Sequence, residues 1–399
     1  MTKSESPEKV LLGDEITLRV DKVANGGFCI GRYNGQAVFV RHSLPGELVK
    51  AEVTEVNKRY LRASVTEVIE PSPKRVVPLC PYAGICGGCD WQHVRYDYQL
   101  DLKSSVVIEQ LAHLGRVDQV NNEPLDRFKV SPLTPVETGL RWRTRNRYVN
   151  IANYSLGMRM SRSHSAIEIS DCLIAVDGST ELAKQALHLG SPEVATAASS
   201  TGQLVLVDQI GGPWLDEVVE DRAWRIHAGS FWQVHKDAPT AFVSQVRAYA
   251  KPQNGERVLD LYAGAGLFAA CLAKDVGPNG EIVAVESSIN AVRDARRSCS
   301  DLANLTLITS DVAKWLNSNS ETFDVIILDP PRTGAGQEVI TKIAKKASRV
   351  IVYVACDPAA LGRDTGYLKD AGWELVELTG FDAFPNTAHV ECIAKFIPT

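Results

Sequence analysis

From about residue 241 to the end of the chain, short β-branched runs alternate with helical ones. They read "RVLDLYA", "EIVAVES", "LTLITS", "FDVIILD" and "RVIVYVA", followed by "WELVEL" and "HVECIAKFI". Apolar runs of this length, separated by helix-period segments, describe strands covered on both faces and joined by crossovers. Residues 241–399 are therefore expected to form a doubly wound α/β domain, with ligands beyond the carboxyl ends of its strands.

The remaining length demands more than one domain, because the chain has 399 residues. Residues 1–72 carry short alternating segments ("EITLRVDKV", "QAVFVRH", "LVKAEVTEV", "LRASVTEVI") between turn signals, which predicts a small oligonucleotide-binding type of barrel. Its Lys50, Lys58, Arg59 and Arg62 are candidate phosphate contacts. The three prolines of "EPSPKRVVP" close it as a linker. Residues 73–240 then hold a cysteine cluster, an amphipathic helix over 96–114 and a β-rich region. That helix is free to pack on the following domain, and a Ser/Ala/Thr-rich loop is expected near "SPEVATAASSTG".

Charge distribution matters more than the net −5. Between Thr138 and Ser165 there are six arginines and no acid. In "RWRTRNRY" a regular strand would send Arg141, Arg143, Arg145 and Arg147 to one face. Such a row repels itself unless an anion covers it, so it competes with a plain solvated face as a nucleic-acid contact. Nine cysteines with a polar, charged N-terminus point to a reducing, cytoplasmic setting, and no apolar run approaches membrane-spanning length.

The chemistry concentrates at the strand ends. Asp260 precedes a tight Gly264/Gly266 loop. Glu286 ends the second strand, suited to a ribose diol, and Asp311 follows the third, suited to an adenine amino group. A dinucleotide is the rival ligand, but "DLYAGAG" lacks the third glycine of that fingerprint, which favours S-adenosylmethionine. Asp329 opens "DPPRTG" at the fourth strand. Arg332 stands where amino-methylating enzymes carry an aromatic, which argues against exocyclic amine chemistry. The fifth strand ends on Cys356, followed by Asp357 and Pro358, so a thiol is expected at the same mouth. A thiol there suits addition to carbon 6 of a pyrimidine, which makes carbon 5 nucleophilic. A base must then remove the carbon-5 proton, and Glu391 is the candidate.

Together these residues resemble the RNA uracil-5-methyltransferases, in the branch that carries an N-terminal TRAM barrel. "FDAFPNTAHVE" matches the family's C-terminal signature, and "DPPRTG" followed by "VYVAC" matches its nucleophile signature. The resemblance implies Cys356 as nucleophile and Glu391 as proton acceptor. It implies Asp329 at the uracil edge, and Gln233 lining the donor site with Asp260, Gly264, Gly266, Glu286 and Asp311. It implies ribosomal RNA, or alternatively tRNA, as partner of a monomer. A catalytically lapsed RNA-binding protein is the rival, prompted by Ala355, Asp357 and Ala360, where the family usually has Ser, Asn and a nearby Thr.

Cys80, Cys86 and Cys89 have the spacing C-x5-C-x2-C. Thiolate ligation of this kind suits zinc or a 4Fe-4S cluster. The resemblance implies Cys172 as fourth ligand and the iron–sulfur cluster as the group held. Cys29, Cys271, Cys299 and Cys392 read as packing residues.

Overall fold

A computed structural model describes residues 10–133, 138–151, 154–207 and 212–399. Alternation in the first segment closes a five-stranded barrel from Glu15–Val23, Cys29–Tyr33, Gln36–Arg41, Leu48–Val56 and Tyr60–Glu70. Every second residue turns inward, so Val20, Val38, Val40, Val49 and Leu61 fill its interior.

The C-terminal sheet has eight strands. The five predicted parallel strands are Arg257–Leu261, Glu281–Glu286, Leu305–Thr309, Phe323–Leu328 and Ala347–Ala355. The order runs third, second, first, fourth, fifth, so the first and fourth are neighbours and the crevice opens between them. Glu391–Pro398 then inserts antiparallel between Ala347–Ala355 and Trp373–Asp382. Its outer edge is closed by Val130–Pro132, parallel to Trp373–Asp382 and drawn from the region expected to belong to the central domain.

Helix Tyr96–His113 likewise packs on the catalytic side. Its Val107 and Leu111 share a core with Leu361 and Leu368 of helix Pro358–Asp370. The approach is close enough to require glycine, since a Cβ at Gly362 would stand 2.6 Å from the Gln110 carbonyl oxygen.

The middle of the chain folds as a sheet ordered Ala166–Glu168, Ser155–Arg159, Arg145–Ile151, Glu193–Ala198, Leu204–Val207. The stretch expected as a loop near "SPEVATAASSTG" therefore contains a buried strand. Its small side chains are accommodated against helix Ser179–Ala186, and Thr196 shares a hydrogen bond with Ser179 (2.7 Å). A hairpin, Trp214–Val219 with Arg222–His227, lends Val219, Trp224 and Ile226 to the methyltransferase-like core. Among the described residues no helix is long and apolar enough to cross a membrane.

Candidate active site

The register of the sheet brings the two catalytic candidates together. Ala355 pairs with Cys392 across antiparallel strands, which brings Cys356, next after Ala355, and Glu391, just before Cys392, to the same cavity. The alternation that turns Glu391 to the cavity turns Cys392 into the core, where it is buried, as are Cys29, Cys271 and Cys299. Behind the thiol, Asp357 caps helix Pro358–Asp370 by accepting from the Ala360 N–H (2.8 Å), with Pro358 in the first turn. The Asp-Pro pair thus ends the strand and starts the helix, and that fixes the thiol at the lip.

Cys356, Glu391 and Asp329 line one cavity of about 1600 Å³, together with Gln233, Gly264, Glu286 and Asp311. Burial pushes the Cys356 thiol up to about 12, and the nearby Glu391 and Asp329 carboxylates add to the rise. Arg332 opposes it, and Asp357 contributes least. Burial likewise holds Glu391 well above the usual carboxylate range, raised further by Asp329 and lowered by Arg332. Asp329 itself is pushed up to about 7 by burial. Arg332 thus favours the charged form of both catalytic candidates.

At the donor end, the turn after Arg257–Leu261 holds Tyr262 at φ 62° and Gly264 at φ 55°. A Cβ at Gly264 would meet nothing within 4 Å, so its side facing the cavity is open to a ligand. The Glu286 carboxylate accepts from the Gly264 N–H (3.0 Å) and the Ser288 N–H (2.6 Å), which fixes the loop to the second strand. Asp311 caps helix Val312–Ser318 through the Lys314 N–H (2.9 Å) while still lining the cavity. The carboxylate of Glu286 beside an open glycine fits the ribose of S-adenosylmethionine.

Asp260 and Gly266 differ from expectation. Asp260 is fully buried behind the loop and accepts from the Ala269 N–H (3.0 Å), with burial pushing it up to about 8. Gly266 donates to the Ala263 carbonyl (2.8 Å) and closes the turn. Neither lines the cavity. They shape the loop from behind, as the first carboxylate of such a strand does when it caps the helix that follows.

The arginine row is not one strand face. The strand begins at Arg145, and the backbone before it is committed elsewhere: Arg141, Trp142 and Arg143 donate to Leu173 and Ile174 carbonyls, and Thr144 to Val234. Arg141 is ion-paired with Asp171 (2.5 Å) and Asp177 (3.2 Å), acids too distant in sequence to be visible beside it. Arg145 is largely buried and donates to the Ala228 (2.8 Å) and Ser230 (3.2 Å) carbonyls. Arg143 and exposed Arg147 do line the cavity, joined by Arg159 and Arg162. On the barrel, Lys50 and Arg62 are paired with Glu67 and Glu55, while Lys58 and Arg59 are exposed.

Cys80, Cys86, Cys89 and Cys172 line a second, small cavity of about 20 Å³ walled by Tyr82, Met158, Ile169 and Ile174. All four thiols are raised by burial, and each of Cys86, Cys89 and Cys172 acts on or feels another thiol of the set. Among the described residues no group of three or more His, Cys, Asp or Glu is arranged to hold a metal ion. The donor chemistry and the convergence on one apolar hollow nonetheless fit a thiolate-held group.

His389 and Phe384 were not singled out from sequence. His389 lines the active cavity, 3.4 Å from Arg332, and burial with the Arg332 charge lowers it to about 4, so it is neutral. The His two residues before Glu391 was the available signal, since that spacing points both side chains the same way in an extended chain.

Residues 9–66 match the TRAM domain, and residues 252–365 match a methyltransferase domain. An uncharacterized RNA methyltransferase of Streptomyces coelicolor is 37% identical, over 97% of this chain and 94% of the relative. A 23S rRNA (uracil(1939)-C(5))-methyltransferase of Acinetobacter baumannii (strain SDF) is 30% identical, over 99% and 97% respectively. Among solved structures, the Pyrococcus abyssi tRNA (uracil-54, C5)-methyltransferase with S-adenosyl-L-homocysteine has a TM-score of 0.70. It is 22% identical, over 95% of this chain and 99% of that one, a likeness of fold. Barrel, parallel sheet and whole-length identity agree: the chain is an S-adenosylmethionine-dependent RNA methyltransferase and belongs to the TRAM-containing RNA uracil-5-methyltransferase family.

Proposed function

We propose that the protein forms 5-methyluridine in a folded RNA, with Cys356 as nucleophile and Glu391 as base. The observation that carries this reading is the Ala355–Cys392 pairing, which brings the neighbouring Cys356 and Glu391 to one cavity. The Cys356 thiolate adds to uracil carbon 6, and the electron pair moves to the carbon-4 oxygen. Carbon 5 takes the methyl group, which S-adenosylmethionine supplies when bound. Glu391 then removes the carbon-5 proton, the carbon–sulfur bond breaks and the thiolate returns. Asp329, at the same mouth, is suited to hold the uracil edge. Gln233, Gly264, Glu286 and Asp311 form the donor side, with Asp260 and Gly266 shaping its loop.

The RNA is the finer point. Relatives bearing rRNA and tRNA names both resemble this chain, so 23S ribosomal RNA has no privilege over tRNA as the target. Incubating the purified protein with each RNA and a labelled donor, then digesting to nucleosides, is expected to give 5-methyluridine in one of them. A nitrogen-methylated product, or none, overturns the reading.

The RNA contact we propose is the cavity rim of Arg143, Arg147, Arg159 and Arg162. Arg147 and Arg159 share a single acid, Glu193, and Arg162 lies over the Phe28 ring of the barrel (4.4 Å), so the rim keeps positive charge. Changing Arg147, Arg159 and Arg162 together to Gln should weaken binding to all RNA sequences and lower the salt slope by about two to three. Filter binding at several salt concentrations checks this; an unchanged slope marks the rim as merely solvated. Neutralising Arg141 or Arg145 should instead lower the melting temperature, because each satisfies buried or ion-paired partners.

Cys80, Cys86, Cys89 and Cys172 are proposed to hold a 4Fe-4S cluster. We assign the units as barrel over 1–72, cysteine-bearing domain over 73–240 and methyltransferase domain over 241–399. The segment 96–132 belongs with the last of these by its packing.

A further inference from the structure

The segment that delivers Glu391 is gripped by a helix that precedes residues 241–399 in the chain and packs on them. On Tyr96–His113, Gln99 and Lys103 lie one turn apart and share a face. Neither has any exposed surface. Lys103 Nζ donates to Asp382 Oδ1 (2.5 Å) and the Phe384 carbonyl (3.1 Å), at the end of strand Trp373–Asp382 and the start of the connection to Glu391. Gln99 takes the middle of that connection. Its Oε1 accepts from the Asn386 N–H (2.9 Å), and its Nε2 donates to Asn386 Oδ1 (3.1 Å).

Asn386 has φ 64°, a left-handed conformation that asparagine tolerates better than most residues. Each of its polar groups is engaged. Its carbonyl accepts from the Trp91 N–H (3.0 Å), and its Nδ2 donates to the Gly139 (2.8 Å) and Thr138 (3.1 Å) carbonyls. Beyond it the chain stays tied, with Thr387 donating to the Phe384 carbonyl (2.8 Å) and accepting from the His389 N–H (3.2 Å). Glu391 follows two residues later. A glutamine buried without partners would be costly. Gln99 Nε2 also donates to the Trp91 (3.2 Å) and Val94 (3.0 Å) carbonyls, so the side chain ties the Asn386 loop to the segment just before its own helix.

We propose that Gln99 is a positioning residue for Glu391. By holding Asn386 at both its backbone and its side chain, it sets the distance between the carboxylate and the carbon-5 proton, and touches neither RNA nor donor itself. The proposal rests on the reading of Glu391 as base, and it makes helix Tyr96–His113, which lies far from Glu391 in sequence, part of the proton-removal step.

The test compares wild-type protein with Gln99→Met, which keeps size and removes both hydrogen-bonding groups. We expect kcat to fall about ten- to a hundredfold, the scale of a misplacement near 1 Å, with donor and RNA dissociation constants within about twofold. The decisive readout is a methylated, denaturant-resistant protein–RNA species accumulating at steady state, which a general loss of fold would not produce. Asn386→Gly keeps the left-handed backbone and should move the same way. The two substitutions should be less than additive in kcat, because both break the Gln99–Asn386 link while each also loses partners of its own. Wild-type kcat in Gln99→Met, or a fall without accumulation of the adduct, overturns the proposal. If Gln99→Met does not fold, Asn386→Gly decides between the same results. Wild-type protein that forms no adduct with 5-fluorouridine RNA overturns the reading of Glu391, and this proposal with it. A normal wild-type adduct with unaffected variants overturns the positioning role alone.

Discussion

Cys356→Ala is expected to abolish methyl transfer and to yield no protein–RNA adduct, whereas Glu391→Gln is expected to build one up. Without the thiol, carbon 5 never becomes nucleophilic, so loss should reach the detection limit while donor binding through Glu286 and the Gly264 loop persists. With Glu391→Gln, attack and methyl transfer proceed, but nothing takes the carbon-5 proton and the carbon–sulfur bond stays closed. The trapped species should carry the methyl group and resolve slowly. Wild-type protein should be trapped likewise by 5-fluorouridine at the target, because fluorine does not leave as a proton does. Gel shift under denaturing conditions reads all three. The thiol's position near 12 adds a pH test. Well below that value the thiolate fraction rises about tenfold per pH unit, so adduct formation in the pre-steady state should climb from pH 6 to 9. Normal turnover by Glu391→Gln removes the role given to that residue, and a pH-independent adduct rate removes the simple thiolate step.

The parallel strands were legible because both of their faces are covered. "VLDL", "IVAVE" and "VIIL" admit no solvent face, and the second ends on the charged Glu286. The meeting of Cys356 with Glu391 was legible only as chemistry. The physical reason for it is the antiparallel insertion of Glu391–Pro398 beside the fifth strand, and no local pattern fixes which neighbour a strand chooses. The helix over 96–114 was readable from its spacing, and the following domain was named as a partner it is free to take, but the point of contact was not readable. Its docking depends on Gly362, more than two hundred residues away, which lets two backbones approach.

Where side chains answer to distant partners, the sequence misleads. The period-two arginines looked like one basic face, yet Arg141 meets Asp171 and Arg145 caps the carbonyls of Ala228 and Ser230. Asp260 looked like a ligand contact, yet it lies buried behind the loop, one carboxylate oxygen held by the Ala269 N–H of the helix that follows. Asp357 beside the thiol looked adverse to catalysis, but its carboxylate is committed to the Ala360 N–H, and of the charges acting on Cys356 it raises the thiol least. The substitution at 357 therefore leaves helix capping intact and gives little support to a lapsed enzyme.

Protein purified without oxygen should be brown and hold about four irons per chain, as a 4Fe-4S cluster requires. The four thiols converge on one hollow but are each raised by burial, with Cys89 pushed up to about 12. Loading must therefore expel protons from all four, and reconstitution should release acid and proceed faster at higher pH. The surrounding loop is also fastened by protein alone. Cys86 donates to the Tyr82 carbonyl (2.9 Å) and bridges to Met160, while Gly87 donates to the Arg159 carbonyl (2.9 Å). Any one of Cys80→Ser, Cys86→Ser, Cys89→Ser or Cys172→Ser should bleach the protein and lower its melting temperature. The helices and strands of residues 241–399 should survive in circular dichroism, because their cores draw nothing from the cysteine hollow. Cys172→Ser should be the most damaging. Its carbonyl accepts from both Arg141 and the Ala175 N–H, so slack there loosens the segment that holds Arg143 at the active cavity. Colourless protein holding one zinc per chain assigns the hollow to a single ion instead, and metal-free protein with unchanged stability in all four variants removes the site altogether.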